Sequence, residues 1–138
     1  MKTTVIIVTH ESAGVLDDAL TALHRIPNLP IMVVDNASAD ASAAIAERRN
    51  ARVIRLPKNL GFAAAANRGA RCCDADLLCF LNPDCLLDEA TVAAAAAALR
   101  LAKAHRLRDR HPHAGYPGGG CEPRLKPRRG WRRARPVA

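Results

Sequence analysis

The stretch Ile31-Met-Val-Val-Asp-Asn-Ala-Ser38 decides the fold of this chain. Its four consecutive apolar residues end on a carboxylate and an amide, which is typical of a short strand buried on both faces of a parallel sheet. The carboxyl ends of such strands border the crevice where ligands bind, so Asp35 and Asn36 are candidate ligand-contacting residues. The alternative at this point is that Asp35 only caps the following helix.

Strands and helices alternate on both sides of this stretch. A β-branched run predicts a central strand over residues 3–9, and Ser12 can cap the helix that follows it. The whole pattern predicts an α/β fold with a mostly parallel sheet and helices on both faces. The predicted helices cover residues 13–25, 38–49, 59–69 and 88 onward, and the further strands cover residues 52–56, near the sheet edge, and 76–81.

Length and composition narrow the class of protein. The 138 residues suffice for one domain with a core. No run approaches the ~18 uninterrupted apolar residues of a membrane span, and the apolar start of the chain reaches a polar turn at Thr9 too soon for a signal peptide. A cytoplasmic location is therefore expected. The five cysteines show no paired C-x-x-C spacing, which argues against a zinc site.

Charge divides the chain into two parts. Residues 1–100 hold ten Lys/Arg against eleven Asp/Glu, whereas residues 101–138 hold eleven against two. Hydrophobic periodicity also ends near His105, where Arg, Pro and Gly take over. We therefore expect a folded domain over residues 1–104 and a disordered basic tail over residues 105–138.

Polar side chains follow several of the predicted strands. Thr9, Asp35 and Asp84 each come at or just after a strand end, and in a parallel sheet these positions converge on one edge. Asp84 is suited to bind Mg²⁺ or Mn²⁺, because these hard ions prefer oxygen ligands and bridge phosphates. The alternative for the segment 82–84 is an ordinary Asn-Pro-Asp turn.

The segment Asn59-Leu-Gly-Phe62 opens a further helix near the same edge. Gly61 allows a close approach of the backbone to a ligand, the start of the helix offers N–H groups to an anion, and Asn67 and Arg68 could reach a sugar or phosphate. Other nucleotide-binding patterns are missing, since the sequence has neither a G-x-G-x-x-G after the first strand nor a G-x-x-x-x-G-K-[ST] loop.

Four blocks of the sequence follow one another in the order Val8-Thr-His-Glu-Ser12, Val33-Val-Asp-Asn-Ala-Ser-Ala-Asp40, Asn59-Leu-Gly-Phe-Ala-Ala-Ala-Ala-Asn-Arg-Gly69 and Phe80-Leu-Asn-Pro-Asp84. Taken together, they resemble the family 2 glycosyltransferases of the GT-A (Rossmann-like) fold, and most of all their rhamnosyltransferase-like branch. The resemblance covers about residues 3–100. It implies an inverting transfer of a sugar from a nucleotide-diphospho-sugar, with UDP or dTDP as the nucleotide, to a saccharide or lipid-linked saccharide acceptor in bacterial cell-wall or surface polysaccharide synthesis.

The resemblance also implies roles for single residues. Asp84 would occupy the second acidic position of the D-x-D metal motif of the family, for Mg²⁺ or Mn²⁺, and Asn82 stands at the first position. The nucleotide pocket would be formed by Thr9, Glu11, Asp35 and Asn36, and the donor pocket by Asn59, Gly61, Phe62 and Asn67.

The sequence has no recognisable counterpart of the general base that inversion requires. In the family it is an Asp or Glu well after the metal motif, but after Glu89 the only acidic residues are Asp109 and Glu122, and neither lies in such a motif. The chain thus looks like a truncated, donor-binding half of a transferase. The tail then has two explanations, a GC-rich segment read out of frame or a genuine basic extension.

Two other functions stay open at this stage. The chain could be a non-catalytic nucleotide-binding module whose basic tail binds nucleic acid without sequence specificity, or associates peripherally with the anionic inner face of a membrane. It could also be a remnant that folds poorly, because a sheet that is cut short exposes an unpaired edge.

Overall fold

The computed structural model describes residues 2–105, which form four strands and four helices in strict alternation. The order is β1 (Thr3–Thr9), α1 (Ala13–His24), β2 (Ile31–Asp35), α2 (Ser42–Arg48), β3 (Arg52–Arg55), α3 (Phe62–Arg71), β4 (Leu77–Leu81) and α4 (Glu89–His105). Every predicted element is present, and most bounds agree with the predictions within three residues. The predicted tail lies outside the described residues except for His105, the last residue of α4.

The four strands form one parallel sheet in the order β3-β2-β1-β4. The two most buried strands, β1 and β2, are central, and β3 is an edge strand as predicted from its arginines. Thr9 pairs in register with Asp35, whereas the last residue of β4, Leu81, pairs with Ile7. The carboxyl ends of all the strands therefore lie along one edge of the sheet, and β1 and β2 end level with each other.

Helices cover both faces of the sheet, which confirms the predicted fold class. On one face α1 and α2 pack against the odd-numbered residues of β1 and β2, and Val92 of α4 joins this cluster. On the other face α3 packs through small side chains, Ala65 and Ala66, against the even-numbered residues. The alternation arises because successive side chains of a strand point to opposite faces.

Close packing of α3 depends on Gly69. A Cβ atom at this position would lie 2.8 Å from Cγ2 of Val34 and 2.9 Å from Cγ2 of Ile6. Such distances are far below van der Waals contact, so only glycine lets the helix come this near to the sheet.

The strand β4 is the second edge and is less covered than its apolar sequence suggested. Phe80 is 46% exposed, and Leu77, Leu78 and Cys79 are only partly buried. Within residues 2–105, β4 has one hydrogen-bonded neighbour, β1. In the same part of the chain no helix is both long enough and apolar enough to cross a bilayer.

Candidate nucleotide-binding site

Thr9 and Asp35 form a buried polar pair at the carboxyl ends of the two central strands. They lie opposite each other in register, and their side chains are 0% and 3% exposed. Within the described residues, neither Oγ1 of Thr9 nor Oδ1 of Asp35 has a hydrogen-bond partner. Buried polar atoms are nearly always paired, so these two unpaired oxygens on register neighbours make this end of the sheet a candidate ligand site.

Asn36 joins the end of β1 to the turn before α3 through its backbone N–H and its side-chain amide. Its backbone N–H donates to the Thr9 carbonyl at 2.8 Å, and its side-chain Nδ2 donates to Oδ1 of Asn59 at 2.8 Å. Oδ1 of Asn36 in turn accepts the N–H of Leu60 at 2.8 Å. Asn36 and Asn59 therefore brace the edge of the site, in addition to any contact that they make with a ligand.

Gly61 adopts a backbone conformation that other residues avoid. Its φ is 78° and its ψ is 162°, a region that is essentially restricted to glycine. Its N–H donates to Oδ1 of Asn59 at 2.9 Å. The sequence singled out this glycine for backbone freedom, and the turn into α3 requires it.

The two candidate side chains on α3 differ in their placement. Phe62 starts the helix and shares the sheet-facing side with Ala65 and Ala66, yet it is 53% exposed. It thus lies at the rim, beyond the covered part of the sheet. Asn67 is exposed on the opposite side of the helix, so the structure does not bring it to the Thr9–Asp35 pair.

Asn82 and Asp84 lie in the exposed turn that follows β4. The N–H of Cys85 donates to the Asn82 carbonyl at 3.2 Å, as expected for an ordinary tight turn. Within residues 2–105 no three His, Cys, Asp or Glu side chains are grouped so as to hold a metal ion. Asp84 fits Mg²⁺ or Mn²⁺ only as a single exposed carboxylate, because these ions often bind through one or two carboxylates plus phosphate oxygens.

Glu11 already has partners in the loop after β2. Its Oε1 accepts the N–H of Ala39 at 2.6 Å, and its own N–H donates to Oγ of Ser38 at 3.1 Å. The role of Glu11 in the nucleotide pocket therefore remains a prediction, whereas its contact with the neighbouring loop is a property of the fold.

Asp40 lies in the segment that the sequence indicated as a source of cap residues for α2, but its bond to the start of α1 was not foreseen. Its Oδ2 accepts the N–H of Ala13, the first residue of α1, at 2.9 Å, and its Oδ1 accepts the N–H of Ser42, the first residue of α2, at 2.9 Å. The Ser42 hydroxyl, followed by these two N–H groups, lowers the pKa of Asp40 below its ordinary value of 3.8. Its position among Ser and Asp residues before a helix was a capping signal.

The predicted cap at Ser12 is wrong. Ser12 precedes α1 but makes no side-chain cap, because its hydroxyl donates to the His10 carbonyl at 3.1 Å. The alternative that Asp35 caps α2 also fails, since Asp35 ends β2 and Asp40 binds the first N–H of that helix. Asp35 is therefore left at the sheet edge without a capping function.

A cavity of about 200 Å³ lies at the opposite end of the strands, near the amino ends of β1 and β2. Its lining includes Thr4, Ile31 and Arg52. None of the predicted site residues lines it, so it is separate from the strand-end site.

Comparison with protein families places this architecture. The model of the family described as "Glycosyl transferase family 2" matches residues 4–105. This range is most of the chain and nearly all of the described structure. The chain therefore belongs to glycosyl transferase family 2. No curated protein sequence matches it.

Solved structures with the same fold include S. aureus TarS, with a TM-score of 0.65, 24% identity, and coverage of 73% of this chain and 20% of that one. Glucosyl-3-phosphoglycerate synthase from Mycobacterium tuberculosis, solved with Mn²⁺, UDP and glucosyl-3-phosphoglycerate, has a TM-score of 0.62, 16% identity, and coverage of 71% and 39%. These likenesses support the GT-A fold. The chain spans only about a fifth to two fifths of these proteins.

Proposed function

We propose that this chain forms the donor-binding part of an inverting glycosyltransferase whose donor is a UDP-sugar or a dTDP-sugar. The observation that carries the proposal is the pair of buried oxygens of Thr9 and Asp35 without partners at the edge of the sheet. A uracil or thymine ring and a ribose offer N–H and O–H donors, which would complete the bonds of these acceptors. The M. tuberculosis neighbour, which shares the fold, was solved with UDP and Mn²⁺.

The other predicted residues complete the proposed donor site. Asn59 and Gly61 shape the turn next to the nucleotide, and the half-exposed ring of Phe62 offers an apolar surface at the rim. Glu11 and Asn36 border the nucleotide, and Asn67 would need a longer reach, because it lies on the outer side of α3. Each of these contacts belongs to the proposal.

Asp84 would hold Mg²⁺ or Mn²⁺ through its carboxylate, and Asn82 lies two residues earlier in the same segment. When bound, such an ion neutralises the charge of a diphosphate leaving group. The exposed position of Asp84 leaves room for the phosphates to supply further oxygen ligands.

Transfer to an acceptor needs parts that residues 2–105 do not contain. After Asp84 the described acidic residues are Asp88 and Glu89, and Asp88 is engaged as the cap of α4 through the N–H of Thr91 at 2.8 Å. The proposed general base would thus lie outside residues 2–105. The binding site for the saccharide or lipid-linked acceptor, of the kind used in surface polysaccharide synthesis, would lie outside them as well. We further propose that the donor carries a rhamnosyl group and that the enzyme acts at the inner face of the membrane.

Calorimetric titration with UDP and dTDP, with Mg²⁺ or Mn²⁺ and with EDTA, tests the proposal. We expect binding that weakens without the metal. Asp35→Asn keeps the volume but removes an acceptor, so it should weaken binding at least about tenfold, the equivalent of one hydrogen bond to a charged group.

Asp74→Asn is the matched control. Asp74 lies in the loop before β4, at the amino ends of the strands and away from the proposed site, and it forms an exposed ion pair with Lys2. Its substitution should leave nucleotide affinity unchanged. Absence of heat with both nucleotides, or equal affinities for the Asp35→Asn and wild-type proteins, would refute the proposal.

A further inference from the structure

The loops that follow β1 and β2 are fastened to each other by reciprocal hydrogen bonds, which we name the loop clasp. From the first loop, the N–H groups of Glu11, Ser12 and Ala13 donate to side chains of the second. In return, Glu11 accepts the N–H of Ala39. The acceptors in the second loop are Ser38 Oγ at 3.1 Å, Ser42 Oγ at 2.9 Å and Asp40 Oδ2 at 2.9 Å.

Asp40 lies at the centre of the loop clasp. One carboxylate oxygen accepts the N–H of Ala13, and the other accepts both the N–H and the hydroxyl of Ser42. The Ser42 side chain is fully buried, and its oxygen accepts the N–H of Ser12. Asp40 is therefore connected to the first loop directly and also through Ser42.

The loop clasp holds strained backbone next to the proposed site. Glu11 has a φ of 52° and Ala37 a φ of 62°, which are left-handed conformations that residues with a Cβ atom rarely adopt. Each stands two positions after a member of the Thr9–Asp35 pair. Such conformations persist only where the surroundings enforce them, and the loop clasp is what surrounds these two.

We propose that Asp40 is a positioning residue, which holds the two loops in the arrangement that keeps the oxygens of Thr9 and Asp35 unpaired beside the proposed nucleotide site. It contacts no ligand itself and acts through the backbone of residues 11–13. This inference rests on the proposed function for its ligand. The simpler alternative is a helix cap whose loss lowers stability and nothing else.

Asp40→Asn is the test variant, because an amide cannot accept all three bonds. Asp17→Asn is the matched control, since Asp17 connects α1 to Arg49, the residue that follows α2, through two bonds at 2.7 and 2.6 Å, but lies inside α1 and away from the loops. Both variants are measured well below their melting temperatures, so that the folded state dominates.

Hydrogen exchange at single amides separates the two explanations without any ligand. The amides of Glu11 and Ala39 donate to groups other than Asp40. If Asp40 positions both loops, Asp40→Asn accelerates exchange at these two amides at least about tenfold, a loss of local opening free energy that Asp17→Asn does not produce. Acceleration confined to Ala13 and Ser42 would overturn the proposal in favour of a cap.

Titration with UDP and Mg²⁺ is the second measurement. We expect Asp40→Asn to bind at least about fivefold more weakly than wild type, and Asp17→Asn to bind as wild type does. Equal affinity of Asp40→Asn and wild type would overturn the proposal.

The two proposals fail in different ways. If the wild-type protein binds neither UDP nor dTDP, the proposed function is refuted, and the exchange measurement alone decides whether Asp40 positions the loops. If Asp40→Asn does not fold, Ser42→Ala takes its place, because it removes the link to Ser12 but keeps the bond from Ala13 to Asp40. The same outcomes then apply to the amides of Glu11 and Ala39.

Discussion

The hydroxyl of Thr9 is fully buried in a strand and has no hydrogen-bond partner among the described residues. Leaving a buried hydroxyl unsatisfied costs about 1–3 kcal/mol. Its register partner, Asp35, has the same property, and this shared property is the basis for proposing that both contact the nucleotide.

Replacing Thr9 by Val tests this balance. Valine has the same shape and favours strands, so the free energy of unfolding without ligand should rise by about 1 kcal/mol. The affinity for UDP should fall, because an acceptor is lost. Denaturant titration and calorimetry on the same preparation measure the two effects.

Thr4→Val is the control for Thr9→Val. Thr4 lies on the same strand but at the opposite end, beside the cavity. We expect no change in UDP affinity for this variant. A Thr9→Val protein that is less stable than wild type would show that the hydroxyl has a structural partner.

At the scale of a single element, α3 depends on its distance from the sheet. Its buried residues are small, namely Ala65, Ala66 and Gly69, so the helix packs by close approach instead of by large side chains. Because α3 begins at the turn that carries Asn59 and Gly61, the distance of α3 from the sheet also sets the position of these two residues.

Gly69→Ala should therefore destabilise the protein. The added methyl would overlap Cγ2 of Val34 and Ile6, which are β-branched and stiff, so the backbone of α3 has to shift. We expect a loss of about 1–3 kcal/mol in the free energy of unfolding, measured in urea.

Gly14→Ala is the matched substitution on α1. A Cβ atom there meets nothing within 4 Å, and the residue is helical. This variant should be more stable than wild type by up to about 1 kcal/mol, because alanine favours helices over glycine. Effects of equal sign in the two variants would contradict the packing argument.

At the scale of the whole molecule, β4 is an uncovered edge of the sheet within residues 2–105. The sequence of β4, Leu-Leu-Cys-Phe-Leu, has no charge and no proline, which are the usual protections of an edge strand. Phe80 adds an apolar ring that is 46% exposed. An uncharged edge strand of this kind can pair with the edge strand of a second molecule.

We expect the isolated chain to self-associate as its concentration rises. Phe80→Lys should reduce this association without loss of structure, because the side chain is already half exposed and a lysine on an edge strand prevents pairing. Sedimentation velocity over a range of concentrations measures the effect.

Leu86→Lys is the comparison variant. Leu86 is 67% exposed but lies in the loop after β4, outside the strand. If it suppresses association as much as Phe80→Lys does, the contact is a general apolar one and not edge pairing.

The sequence by itself determined the alternation of strands and helices, the parallel sheet with helices on both faces, and the polar ends of the strands at Thr9 and Asp35. These features are local, because continuous apolar runs and three- to four-residue spacing depend on neighbours in the chain. The blocks that resemble the family could be recognised for the same reason, because each is a short continuous stretch of sequence.

Only the tertiary structure decided which polar groups are used and which are left open. Glu11 and Ser12 bind partners 27 to 30 positions away, so no local pattern could show that Asp40 replaces Ser12 as the cap of α1. The strand order likewise made β4 an exposed edge although its sequence resembles a buried strand. Hydrogen-bond partners and sheet neighbours are set by the packing of distant segments, and that packing alone leaves the oxygens of Thr9 and Asp35 unpaired.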